Sequence, residues 1–203
     1  MIRFGRVEVT GGCLLLLAWL NYLDRSFLVP MAMLACGLHE LGHFFTIRLL
    51  GGAVKGVCLT AIGAEMKLEH PLGYWQEGLS ALAGPGTNLL LALIFCRVNV
   101  IFAGLNLALA LFNLMPVGRL DGGRAVYCVL ALLAGPELAD RTGAWLDVLW
   151  GAGAAAAGLA LAVFRGNITL LLTALWLAAG LFRQNNWVKR RNRACQRSGK
   201  RVK

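Results

Sequence analysis

Charge is what this sequence has least of. Only 15% of its 203 residues are Asp, Glu, Lys or Arg, whereas 58% are hydrophobic, and the mean hydropathy is +0.66. Soluble domains carry about 25% charged residues, so an ordinary soluble globule is excluded. A membrane protein of one domain or slightly more is expected. Acidic side chains are scarcest, ten against twenty basic ones. None lies between Lys189 and Lys203, where eight of the basic residues sit. Residues 187–203 therefore read as a basic tail, cytoplasmic by the positive-inside rule and drawn to anionic lipid by about 1 kcal/mol per basic residue near the surface. No reading module or interleaved aromatic accompanies that charge, so nucleic acid is not an expected partner. The six cysteines (13, 36, 58, 96, 128 and 195) form no C-x-x-C pair and no regular spacing. That argues against a disulfide framework and for small apolar packing. There is also no small-x-small cleavage site after Arg3, Arg6 and the first apolar run, which points to a retained span rather than a signal peptide.

Against this background stands His39-Glu40-Leu41-Gly42-His43, inside an apolar stretch from Leu28 to Leu50 that is long enough to cross a bilayer. On a helix the two histidines lie one turn apart on one face, where two imidazoles can grip one Zn²⁺. Glu40 beside them can serve as general base toward a water that the metal activates. The alternative, two core histidines and a stray Glu on a soluble helix, is disfavoured because ionisable residues in spans are costly and rarely idle. Cys36, one turn before His39, is a weak candidate, since a soft ligand there would crowd the open position of a catalytic zinc.

Taken in order, residues 1–9 alternate apolar and polar and suit a short strand or interfacial segment. Spans follow at Gly11–Leu23 and from Leu28 to Leu50, with Pro30 near the start of the second, where a helix tolerates it. Ala53 to Glu69 is too polar and too rich in glycine to span, and reads as short strands or a hairpin at the surface. Tyr74 and Trp75 are interfacial anchors. Further spans run over about 79–95, 98–115, 145–164 and 167–187, with a helical stretch at 125–134 and a polar loop at 135–142. The expected fold is an all-α polytopic membrane protein of about six transmembrane helices with a small β-like segment after the second. The domain covers residues 1–186, and both termini are cytoplasmic. Asn88 in the third span needs an interhelical partner.

A catalytic zinc has three protein ligands and one open position. Glu65, Glu69, His70, Glu77, Asp121, Glu137, Asp140 and Asp147 are candidates for the third. Most belong to surface segments. Asp121 sits at a break marked by Pro116, Gly118, Gly122 and Gly123, joined directly to an apolar helix. Irregular backbone at membrane depth persists only where protein buries it or it lines a wet cavity, which favours Asp121 over Glu65.

These motifs resemble the site-2 protease family of intramembrane zinc metalloproteases. The resemblance rests on His39-Glu40-Leu41-Gly42-His43, on Asn113-Leu114-Met115-Pro116 through Leu120-Asp121-Gly122-Gly123-Arg124, and on Ala83-Gly84-Pro85 with Asn88, and it covers roughly residues 3–130. It implies one zinc per chain on His39, His43 and Asp121, Glu40 as catalytic base, and a six-helix core whose last two helices act as a gate. Within the family the chain looks most like the compact branch of the stage IV sporulation protease, which cleaves a membrane-associated pro-sigma factor. No PDZ insertion lies between the zinc motifs and no nucleotide-binding regulatory domain follows the sixth span. The implied setting is a bacterial cell membrane. The implied partners are the bilayer, a membrane-embedded or membrane-associated protein substrate, and candidate regulatory membrane proteins. Asn113 and Asn88 either hydrogen-bond the substrate backbone or the intermediate's oxygen, or act as glue between helices. Gly63 and its neighbours offer an edge strand to an unwound substrate. Two rivals remain, a catalytically inactive membrane scaffold and a metal or proton transporter. An intact Glu40 weighs against the first and the lack of internal repeats against the second.

Overall fold

The computed structural model describes residues 2–4, 7–60, 63–118 and 120–165. The expected sixth span at 167–187 and the basic tail lie outside the described residues. Two compact units divide at residues 141 and 142. In the first, strands β1 (Ile2–Phe4) and β2 (Val7–Val9) form a hairpin, helices α1 (Gly11–Leu23) and α2 (Leu28–Leu49) follow, and β3 (Val54–Thr60) and β4 (Gly63–Leu68) form a second hairpin. Helices α3 (Tyr74–Phe95), α4 (Val100–Asn113) and α5 (Asp121–Ala134) complete it. Helix α6 (Pro136–Arg165) starts in this unit, and its remainder belongs to the second.

The strands make one sheet in the order β1-β2-β3-β4. Both hairpins are antiparallel, and β2 runs parallel to β3 with Val7 opposite Val57. The sequence pattern shows two separate short β segments. Their union across α1 and α2 is a tertiary pairing that no local periodicity reveals. Lys67 of β4 reaches over β3 to Glu8 of β2 at 3.1 Å.

Helix boundaries follow local chemistry. Thr10 caps α1 by accepting from the Cys13 amide. Asp24 accepts from the Ser26 amide at 2.9 Å and from the Val29 amide at 2.8 Å, which tethers the start of α2. These bonds, Val29's above all, hold the Asp24 carboxyl below the ordinary carboxylate range. The stabilisation is thus present above the unfolded-state value and is lost as pH falls through the depressed one. Asp24→Ala is expected to speed amide exchange at Ser26 and Val29 and leave exchange at the α2 centre unchanged. At the other end Gly51, at φ 81°, lets the Gly52 amide reach Ile47 O (2.8 Å) and its own amide reach Arg48 O (3.1 Å), a Schellman stop.

Helix α3 is the hub, packed against α2, α4 and α5. It begins at Tyr74, five residues before the expected span, and α6 replaces the expected loop and later span with one helix from Pro136. By length and composition only α2 and α3 suffice to cross a membrane among the described residues, and α1 and α4 are shorter apolar helices. Two of the expected spans are thus helices of spanning length among the described residues.

Several polar side chains are buried within a mainly apolar core, while many large apolar ones face outward. His39, His43, Ser80, Asn88, Asn106 and Asp121 are buried, while Leu15, Leu49, Leu93 and Leu133 are each more than 70% exposed. Little of α2 is buried, unlike the core helix of a soluble globule. An outer surface this rich in large apolar side chains suits an apolar surrounding.

Candidate metal centre

His39 and His43 lie one turn apart on α2, and Asp121 is the first residue of α5. All three are buried, and each offers a ligand atom within 4.8 Å of the others. His39 Nε2 is 3.0 Å from Asp121 Oδ2, His43 Nε2 is 3.2 Å from the same oxygen, and the two Nε2 atoms are 3.1 Å apart. Tetrahedral zinc with nitrogen and oxygen ligands at about 2.0–2.1 Å requires ligand atoms about 3.3 Å apart. The observed triangle is one face of such a tetrahedron, slightly contracted. Two imidazole nitrogens facing each other this closely beside a carboxylate oxygen need a cation or a proton between them. The donor set fits zinc.

The second nitrogen of each ring is tied down. His43 Nδ1 donates to Ser80 O at 2.7 Å and His39 Nδ1 donates to Asn88 Oδ1 at 3.2 Å. Both bonds select the tautomer with an unprotonated Nε2 facing the triangle, the usual outer-sphere device at metal sites.

Helix α3 presses against the triangle through a missing side chain. A Cβ on Gly84 would lie 2.7 Å from His39 Nε2 and 2.6 Å from His43 Cε1. One turn along the same contact, a Cβ on Gly42 of α2 would meet the Thr87 hydroxyl and, at 2.9 Å, Ala83 O. Small residues bring the two helices this close. Gly84→Ala is expected to keep the helix, because Ala is the better helix former, but to displace the imidazoles. Zinc content of purified protein should fall while far-UV helicity holds, with an overpacking cost of about 1–3 kcal/mol.

The backbone break delivers Asp121. Helix α4 ends at Asn113, the Val117 amide bonds Met115 O (2.8 Å) around Pro116, and the Leu120 amide bonds Val117 O (2.8 Å). The loop then lies on the first turn of α5. A Cβ on Gly122 would strike Leu114 and Met115 carbonyls, and one on Gly123 would strike the Val117 carbonyl and Gly118 N. Asp121 thus sits at a helix N-terminus, where the dipole favours a carboxylate. Its Oδ1 faces Arg124 Nη1 at 3.7 Å, and Arg124 Nη2 reaches Glu77 Oε1 at 3.5 Å. Oδ2 is left for the triangle.

Glu40 is half-buried on α2, within electrostatic range of His39, His43, Asp121 and Arg124. Glu65 pairs across from Cys58 in the sheet. Cys36 is exposed and lines an apolar groove with Ala32, Ala35, Leu105 and Leu109, away from the ligand atoms. Asn113 is half-buried and donates to Leu109 O at 3.0 Å. Asn88 is fully buried, and its side chain meets His39 Nδ1. Sequence reasoning missed the Ser80 carbonyl, the Arg124–Glu77 pair and buried Asn106. A backbone carbonyl leaves no trace in residue type. Asn106, however, could have been found as a second amide in an apolar helix.

No protein-family model matches the chain. A protein of Synechocystis named as a candidate zinc metalloprotease is 30% identical over 166 residues, which is 71% of this chain and 42% of that protein. Rip3 of Mycobacterium tuberculosis, similarly named, is 32% identical over 142 residues, 59% of this chain and 34% of its own length. A zinc metalloprotease of Methanocaldococcus jannaschii is 25% identical over 186 residues, 83% of this chain and 52% of that one. The chain thus spans about a third to a half of the length of these relatives. The solved structure of a site-2 protease from Methanocaldococcus jannaschii shares the fold, with a TM-score of 0.64 and 22% identity, covering 90% of this chain and 93% of that one.

Proposed function

We propose that this chain, which belongs to the site-2 protease family of zinc metalloproteases, hydrolyses peptide bonds of membrane-embedded or membrane-associated proteins. The observation that carries this reading is the buried triangle of His39 Nε2, His43 Nε2 and Asp121 Oδ2 inside helices with apolar outer faces. Zinc bound there would supply a Lewis acid that polarises the scissile carbonyl and brings the pKa of a water near neutrality. Glu40 takes the proton of the attacking water and passes it to the leaving amine nitrogen. Ser80 and Asn88 hold the imidazoles in the ligating tautomer, and Arg124 turns Asp121 so that one oxygen faces them. Asn113, at the helix end that leads to Asp121, is a candidate to hold the substrate backbone.

The proposed setting is a multi-pass bacterial membrane protein with both termini in the cytoplasm, supported by the basic tail and the apolar helix surfaces. We propose substrates by class only: none of the named relatives carries a sporulation name, and a pro-sigma factor substrate has no support from them. The test is co-expression with a membrane-tethered reporter, followed by metal analysis and cleavage assay of the purified chain. About one zinc per chain is expected, with cleavage abolished by chelation and restored by zinc. Cleavage by metal-free protein would overturn the proposal.

A further inference from the structure

Two buried amides are each half satisfied. Asn88 Oδ1 accepts from His39, yet Asn88 Nδ2 has no hydrogen-bond partner among the described residues. Asn106 Nδ2 donates to Phe102 O at 2.9 Å, yet Asn106 Oδ1 has none. Both side chains are 0% exposed, and these are the two buried side-chain polar atoms left unpaired among the described residues. One is a donor and the other an acceptor.

The two atoms belong to neighbouring helices. Residues 96–99 join α3 and α4 into an antiparallel hairpin whose register is marked by Phe95 against Phe102, ring centroids 5.1 Å apart. Asn88 lies seven residues before Phe95 and Asn106 four residues after Phe102. At 1.5 Å per residue the amides differ in height by roughly 4.5 Å, within reach of side-chain rotation or of one bridging water.

The sense of the Asn88 amide matters for the metal centre. An Asn is nearly symmetric in shape, so it can flip. Flipped, it would set its NH₂ against His39 Nδ1. His39 would then have to carry its proton on Nε2, the nitrogen needed as ligand. A group on the far side of Asn88 that holds its donor end would therefore fix the sense of the amide that orients His39.

We propose that Asn106 is that group: its Oδ1 accepts from Asn88 Nδ2, directly or across one water, and so locks the tautomer of His39. Asn106 is a positioning residue, two steps from the ligand atom. The inference rests on the reading of His39 as a zinc ligand. Outer-sphere partners of this kind alter metal affinity by about 10–100-fold.

The experiment is competitive zinc titration of the purified full chain, with thermal unfolding of the metal-free form measured alongside. Asn106→Leu should weaken zinc binding by about 10-fold, and Asn106→Asp, which keeps an acceptor oxygen, should restore most of it. Because Asn106 acts through Asn88, the double variant with Asn88→Leu should bind zinc no worse than Asn88→Leu alone. A purely structural role would lower the unfolding temperature of the metal-free form and give additive losses of affinity. Wild-type affinity in Asn106→Leu, or additive losses, overturns the inference while leaving the metal centre standing. Failure of the wild-type chain to bind zinc overturns both. If Asn106→Leu does not accumulate, Asn106→Ala carries the same comparison.

Discussion

Glu40→Gln is expected to abolish cleavage while leaving zinc in place. Glu40 is next to a ligand in sequence, but it is not among the three residues whose ligand atoms converge, so its loss should not open the metal site. Gln has nearly the same shape and keeps a polar end, yet it cannot accept and return a proton. The loss expected from removing a general base is about 10²–10⁴-fold in turnover. The measurement is cleavage of a membrane-tethered reporter by wild type and variant at matched abundance, with zinc per chain determined on both. Cleavage at wild-type rate in Glu40→Gln would sink the hydrolytic mechanism proposed for this residue. Loss of zinc together with activity would instead make Glu40 a structural part of the site.

Asp121→Ala is expected to lose the metal itself. The carboxylate is the third corner of the triangle, 3.0 and 3.2 Å from the two imidazole nitrogens, and it is the only anionic corner. Without it two neutral imidazoles remain, and Arg124 loses a partner at 3.7 Å. Affinity should fall by more than the roughly 10–100-fold that an outer-sphere change costs, and zinc should be absent from protein purified in the presence of a weak chelator. Glu65→Ala is the matched control. Glu65 sits on β4 opposite Cys58, in the sheet and not on the helices that carry His39, His43 and Asp121, so zinc content should be unchanged. Equal loss in both variants would mean that Asp121 acts through folding and not as a ligand.

Much of the centre is legible in the sequence because it depends on short-range geometry. Two histidines at a spacing of four must share a face once the segment is helical. Pro116 with Gly122 and Gly123 must break one helix and permit a tight approach at the start of the next. The Schellman stop at Gly51 and the Asp24 cap are likewise local. The helix starts were read less well. The apolar pattern placed the third span at about 79, but α3 begins at Tyr74, because a helix continues into its polar first turn as long as backbone bonds are available. Apolar composition shows that a helix avoids water, but α1 and α4 are too short to qualify by length.

Residue types and their spacing by themselves determined the chemistry on offer: two imidazoles, a neighbouring carboxylate base and a carboxylate at a backbone break, in a chain too apolar for water. Only the tertiary structure brought Asp121 to the two histidines, 78 residues from His43 in sequence and 3.2 Å away in space. It also placed Asn88 against His39, since the partner of a buried amide is set by what surrounds it. Both placements come from α3. Its bare Gly84 allows the helix to lie against the imidazoles, while its other faces carry α4 and α5. Such packing depends on contacts among elements far apart in the chain, which spacing along the chain does not encode.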